Sequence, residues 1–289
     1  MTPMTDFFTR IGTRRGLGRR DKRQRSRVSL VVALVVIGVL VFAAIAGSLV
    51  APFSPTVQDL DNRLLPPGPV HWLGTDYLGR DVFSRLIWGA QPAVIGVLVA
   101  VATACVIGVP WGLLAGYYGG FVDALLMRLA DVVIVFPALV FAIAVAGSLG
   151  PSIVSSMTAF GLAISPSIAR LVRAGVISER HKDYVQITRM YGVTSMSRLV
   201  RHILPNSVDA LAVQVTIYAG VAVLAQAGLD FLGLGVQLPK ASWGADLSQA
   251  FAYILVDPAA TIAPGVTIVI CVLAIYRLGD AVRDRLSHD

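Results

Sequence analysis

The chain has three lysines, Lys22, Lys182 and Lys240, preceded by Asp21, His181 and Pro239. A phosphate-binding loop needs a Gly-Lys pair followed by Ser or Thr, because backbone N–H groups and the lysine together cradle the phosphates. No such pair is present. The four histidines, His71, His181, His202 and His288, are scattered along the chain, and none forms a zinc-binding pair. There is no nucleophile elbow. Cys105 and Cys271 lie inside apolar runs without a Cys or His neighbour at metal-ligand spacing, so they read as buried thiols. These residues argue against an enzyme, and no cofactor or metal is expected on this chain. Two stretches retain chemical interest. Asp230 follows Gln226 by four residues in apolar surroundings, on one face if both are helical. An acid there is costly enough to suggest a function, the plain alternative being an Asp snorkelling to the lipid interface. The other is a long basic stretch from Arg170 to Pro205.

The surrounding sequence says what must position them. Of 289 residues, 56% are hydrophobic and 14% charged, against about 25% charged in an ordinary soluble domain. The apolar residues come in blocks, at 28–50, 92–116, 130–149, 151–172, 208–227 and 260–279. Each approaches the roughly 20 residues that cross a bilayer as helix. The first block is longer than the about 7–15 apolar residues of a signal peptide, so it is expected to remain as a membrane helix. Gly150-Pro151 makes a tight turn between the third and fourth.

Charge orients the spans. With the N-terminus inside, segments 1–27, 117–130, 170–205 and 277–289 carry 20 of the 24 Lys and Arg residues. Segments 52–91 and 229–259 carry the remaining four. The positive-inside rule then places both termini in the cytoplasm. The net charge of +7 reflects this distribution rather than nucleic-acid binding. Outside, Asp76, Arg80, Asp81 and Arg85 are expected to form solvated ion pairs, and Trp72, Trp88, Trp243 and Tyr253 to lie at headgroup level.

Within the basic stretch, Val185, Met190, Val193, Met196, Leu199, Val200 and Ile203 recur at roughly helical intervals, interrupted by Gly192. The pattern predicts two short amphipathic helices joined at that glycine, with Pro205 ending the second. An ordinary basic loop lying on the membrane surface fits the periodicity equally well.

Asp183-Tyr184-Val185 through Gly192 to Arg201-His202-Ile203-Leu204-Pro205-Asn206 resembles the cytoplasmic "EAA" loop of bacterial ABC-importer permeases. Three further stretches resemble the dipeptide and oligopeptide branch of that family. They are His71-Trp72-Leu73-Gly74-Thr75-Asp76 through Arg85, Ala115-Gly116-Tyr117-Tyr118-Gly119-Gly120 through Asp123, and Phe231-Leu232-Gly233-Leu234-Gly235 with Ser242-Trp243-Gly244. With Gly279-Asp280 they cover the chain from about residue 70 onward, and the first is similar to the C-type of the two unlike permeases. Where the family has Glu-Ala-Ala, this chain has Gln186-Ile187-Thr188; where it has an acid in Ala-Glu-Ala, this chain has Gln226. Asp230 is the candidate replacement acid.

The resemblance implies an all-α membrane protein of six spans with the type I ABC importer permease fold. With the apolar blocks and the charge distribution, it divides the chain into a basic arm (1–27), a first span (28–51), an extracytoplasmic segment (52–91), a five-helix core (92–280) holding the coupling loop (173–206), and a tail (281–289). It also implies a multi-pass inner-membrane location and four kinds of partner: the membrane, a second permease subunit, two ATPase subunits that bind the ATP, and an extracytoplasmic solute-binding protein. The coupling residues it marks are Gln186, Ile187, Thr188, Gly192, Val193, Met196, Leu199, Leu204 and Pro205. Dipeptides or oligopeptides lead as solute, with haem, nickel and glutathione open. A secondary transporter or channel, or a scaffold, is the competing class; such transporters place ionisable residues within spans.

Overall fold

A computed structural model describes residues 29–286, so the basic arm and the last three residues of the tail lie outside the described residues. The chain is nearly all helix. In order, the helices are α1 (Ser29–Val50), α2 (Val82–Tyr118), α3 (Gly120–Val135), α4 (Ala138–Leu149), α5 (Ile153–Glu179), α6 (Asp183–Met190), α7 (Ser195–Arg198), α8 (Leu204–Phe231), α9 (Trp243–Phe251) and α10 (Pro258–Leu286).

Five helices, α1, α2, α5, α8 and α10, are each long and apolar enough to cross a membrane, and α3 with α4 forms a sixth, broken crossing bent by 81°. The expected span at 130–149 therefore begins earlier and is not straight. Its break follows from Phe136-Pro137: the residue before a proline is pushed out of the helical region, and Phe136 is extended at φ −80°, ψ 123°. Asp123 and Arg128, expected in a loop, lie in α3 instead. There Asp123 accepts from Arg173 Nη2 of α5 at 2.6 Å.

Helix α2 starts at Val82, ten residues ahead of its apolar block. Its first turns are polar in sequence, yet Asp81 caps them by accepting from Ser84 N at 2.7 Å. Pro205 also behaves differently from expectation. The chain runs from α7 through a π-helical turn, Leu199–Ile203, directly into α8, and Pro205 sits in the first turn of α8. Proline, which has no N–H to donate, falls where the π-helical turn hands over to α8.

The core is a seam between α2 and α5. A Cβ on Gly108 or Gly112 would run into the backbone carbonyl of Ser165 or Ala169, so only glycine lets these helices approach so closely. Met157, Phe160, Ile164, Ile168, Val172 and Val176 of α5 fill the centre, with Ala222, Ala225 and Leu229 of α8 against them. The same cluster extends beyond the spans to Val185, Leu199 and Ile203.

Candidate functional site

The predicted coupling residues are held by the end of this core. Past α5, Glu179 accepts from Lys182 Nζ at 2.6 Å and from the Tyr184 hydroxyl at 2.7 Å, which turns the chain into α6. Arg180 Nη1 reaches across to the Gly116 carbonyl at 2.8 Å, satisfying one of the orphan acceptors at the end of α2. Helix α6 then stops at Gly192, which has φ +72°. Val193 N donates to Thr188 O at 3.1 Å, the six-to-one bond of a Schellman turn. A Cβ on Gly192 would meet nothing within 4 Å. The glycine is needed for its backbone angle, not for space. Thr194 accepts from Ser197 N to cap α7.

The two short helices have two faces. Val185, Leu199 and Ile203 turn inward to the core, and Leu199 is only 4% exposed. Of the coupling residues that the resemblance marks, Leu199 thus faces the chain's own core, where burial stabilises an apolar side chain. Outward stand Ile187, Met190, Tyr191 and Met196, the last three 87%, 83% and 70% exposed. Gln186 is exposed, Thr188 and Val193 are half-buried, and Leu204 and Pro205 lie behind at the start of α8. Met190 and Tyr191, absent from the candidate residues, form the crest of this surface. Their apolar types were the available signal; the phase that separates in from out was not.

Asp230 is buried at the last turn of α8. Its Oδ1 accepts from Val236 N at 2.7 Å and its Oδ2 from the Ser242 hydroxyl. It thereby fastens the Gly-rich loop that follows the helix, where a Cβ on Gly235 would strike the carboxylate. One turn earlier, Gln226 Nε2 donates to the Pro92 carbonyl of α2 at 2.8 Å. The two side chains do share a face, and both have structural partners.

At the other end of the bundle, the expected solvated ion pairs are buried. Arg80 and Arg85 are each 2% exposed, with Asp76, Asp81 and Asp246 around them. Arg80 Nε donates to Asp76 Oδ2 at 2.6 Å, and Arg80 Nη2 to Gln249 Oε1 at 3.0 Å. Arg85 donates through Nε and Nη2 to Asp246 Oδ1, and through Nη1 to the Pro55 carbonyl at 2.6 Å. One guanidinium thus ties α2, α9 and the segment after α1. Burial pushes the Asp246 carboxyl up to about 6, against the opposing pull of Arg85. Trp243 is also buried, its indole N–H donating to the Leu86 carbonyl at 2.9 Å, so it does not lie at the headgroups. Among the described residues no His, Cys, Asp and Glu group is arranged to hold a metal.

The family model for the binding-protein-dependent transport system inner membrane component matches residues 108–288, and that for the N-terminal TM domain of oligopeptide transport permease C matches residues 22–67. The chain belongs to this family. The permease is 35% identical to the dipeptide transport system permease protein DppC of Alkalihalophilus pseudofirmus, over 99% of this chain and 93% of that one. It is 38% identical to the probable D,D-dipeptide transport system permease protein DdpC of Escherichia coli, covering 89% and 86%. It is 39% identical to the glutathione transport system permease protein GsiD of Escherichia coli, covering 99% and 90%. Among solved structures, an inward-facing MetNI methionine ABC transporter chain superposes with a TM-score of 0.57 at 19% identity, over 70% of this chain and 96% of that one. The fold is that of a type I ABC importer permease, and the protein is a multi-pass inner-membrane subunit, not an enzyme.

Proposed function

We propose that the permease carries dipeptides or oligopeptides inward, paired with a second, unlike permease subunit and fed by an extracytoplasmic solute-binding protein. Two separate ATPase subunits bind the ATP. The crest of Ile187, Met190, Tyr191 and Met196 docks in a groove on one of them, because an exposed apolar surface of this kind has no use in water. That crest is the observation that carries the reading. It stands on Gly192 and is backed by Val185, Leu199 and Ile203, so force applied to it enters the core rather than bending a loose loop. Closure of the ATPase pair then biases the spans between outward and inward access, a two-state change to which solute and ATP both couple.

The bias of 20 basic residues to one side supports a cytoplasmic crest and cytoplasmic termini. A cysteine at Ser195 should resist an impermeant thiol reagent in intact cells, and cysteines at Gln58 and Gln237 should react. The glutathione relative at 39% identity makes that tripeptide the second solute to test. The deciding experiment copurifies the permease with its ATPase subunits and measures ATP hydrolysis stimulated by binding protein loaded with dipeptide, oligopeptide or glutathione. No copurifying ATPase, or stimulation by none of the three, overturns the proposal.

A further inference from the structure

Helix α1 is mostly exposed, with Ala33 and Gly47 its buried residues. Over its second half, Leu40, Ala43 and Ala44 pack against a cluster that includes Ala90 of α2 and Ile268, Cys271 and Val272 of α10, and Gly47 rests on Ile87. Nearer its N-terminal end Ala33 of α1 and Ala274 of α10 are buried, 2% and 5% exposed, and a groove of about 350 Å³ lies beside them. Val32, Ala33 and Val36 form one wall, and Ile270, Leu273 and Ala274 the other. Ser29 and Arg277 complete the lining. On each helix the four contributing positions step by i, i+3, i+4 and i+7, which is one helical face. The two helices run in opposite directions across six crossings, so both polar residues fall at the same end of the groove. The groove is amphiphilic, with an apolar length and one cationic end.

Its size falls within the roughly 300–1,000 Å³ of small-molecule sites. Apolar walls of this kind do not hold water. In a bilayer the material at hand to fill them is hydrocarbon. Arg277 is exposed and has no ion pair among the described residues. A guanidinium is a planar fork that donates two parallel hydrogen bonds to phosphate oxygens. Its charge at this end favours an anionic headgroup.

We propose that the groove between α1 and α10 is a binding site for one anionic phospholipid, with an acyl chain along Val32, Val36, Ile270 and Leu273 and its phosphate on Arg277. The lipid covers the exposed apolar walls beside buried Ala33 and Ala274 and fastens the first span to the core. The site does not depend on the transported solute or on the ATPase.

The full chain in nanodiscs of equal phosphatidylglycerol and phosphatidylcholine, released and weighed by native mass spectrometry, tests it. One phosphatidylglycerol should be retained in preference to phosphatidylcholine. Arg277→Gln should lower that preference about fivefold, the effect of one basic residue near an anionic surface, and Arg277→Lys should keep most of it. Ile270→Trp, or Val36→Trp from the opposite wall, should expel lipid of either headgroup. Equal retention of the two lipids, or retention undisturbed by both tryptophan substitutions, would overturn the site. So would stoichiometric cross-linking of a cysteine at Val32 to another polypeptide in native membranes. Because the readout is lipid mass, its failure leaves the importer reading untouched.

Discussion

Arg85 and Asp246, 161 positions apart in sequence, form the ion pair that joins the first turns of α2 to α9. Both side chains are nearly excluded from solvent. The pair is therefore asymmetric in its consequences: keeping both charges is tolerable, and keeping one is not.

Removing a single partner should cost about 3–5 kcal/mol, because the other charge stays buried without compensation. Arg85→Met and Asp246→Leu should each lower the unfolding midpoint of the detergent-solubilised chain strongly. The double variant should recover most of the loss. Additive losses would mean that Arg85 acts chiefly through the Pro55 carbonyl.

The same carboxyl sets a pH dependence at the outer end. Its folded pKa is raised from 3.8 to about 6 by burial, against the attraction of Arg85. Between those values the folded state holds a proton that the unfolded state has lost. The contribution of Asp246 is thus fully present below about pH 4 and is lost as pH rises through about 6. Asp246→Asn should flatten the midpoint-against-pH curve in that window, read by thermal scans at half-unit steps.

The two faces of the α6–α7 loop should separate stability from association. Leu199→Ala should cost about 2–5 kcal/mol of stability, as large-to-small changes in a core do. Met190→Ser and Tyr191→Ser should change stability by no more than about 0.5 kcal/mol, yet weaken ATPase retention by about 2 kcal/mol or more if either is an anchor. Thermal scans beside pull-downs at equal expression give both numbers.

At Gly192 the backbone angle alone is at stake, because an added Cβ has open space around it. Asn and Asp adopt positive φ more readily than other side chains. Gly192→Asn should therefore retain most ATPase association and uptake, and Gly192→Val should lose both, with strain of about 1–3 kcal/mol at the turn. Gly192→Asp should fall between, its charge lying beside the apolar crest. Equal behaviour of Asn and Val would show that the turn geometry is not what the site requires.

The long apolar runs and the Gly192 turn were legible because each rests on local physics: length against bilayer thickness, and a residue type against a backbone angle. The inward role of Leu199 was not. It differs from Met196 by three residues, so periodicity places both on one side, and only the fold of the loop against Val185 and Ile203 parts them. Asp246 left no local trace either, since its partner lies far away in sequence and its neighbours look like an ordinary polar segment. The burial of Arg80 and Arg85 follows from that same distant closure. Asp230 was visible as an unusual acid, but its bonds to Val236 and Ser242 depend on how the glycine loop folds back. The break at Phe136-Pro137 had a clear signal in the proline itself, outweighed by the apolar run around it.

The join at Leu199–Ile203 has a mechanical consequence. Because α7 passes through it into α8 without a gap, Ser195 to Phe231 is helical throughout, about 55 Å of chain at helical rise. Its near end carries Met196 and its far end carries Asp230, which clamps the loop leading to α9 and the Arg85 pair. A π-turn and a proline are where helices kink, so Leu199–Pro205 sets the angle between the loop and the span. Buried Leu199 and Ile203 hold that joint in the core beside Val185.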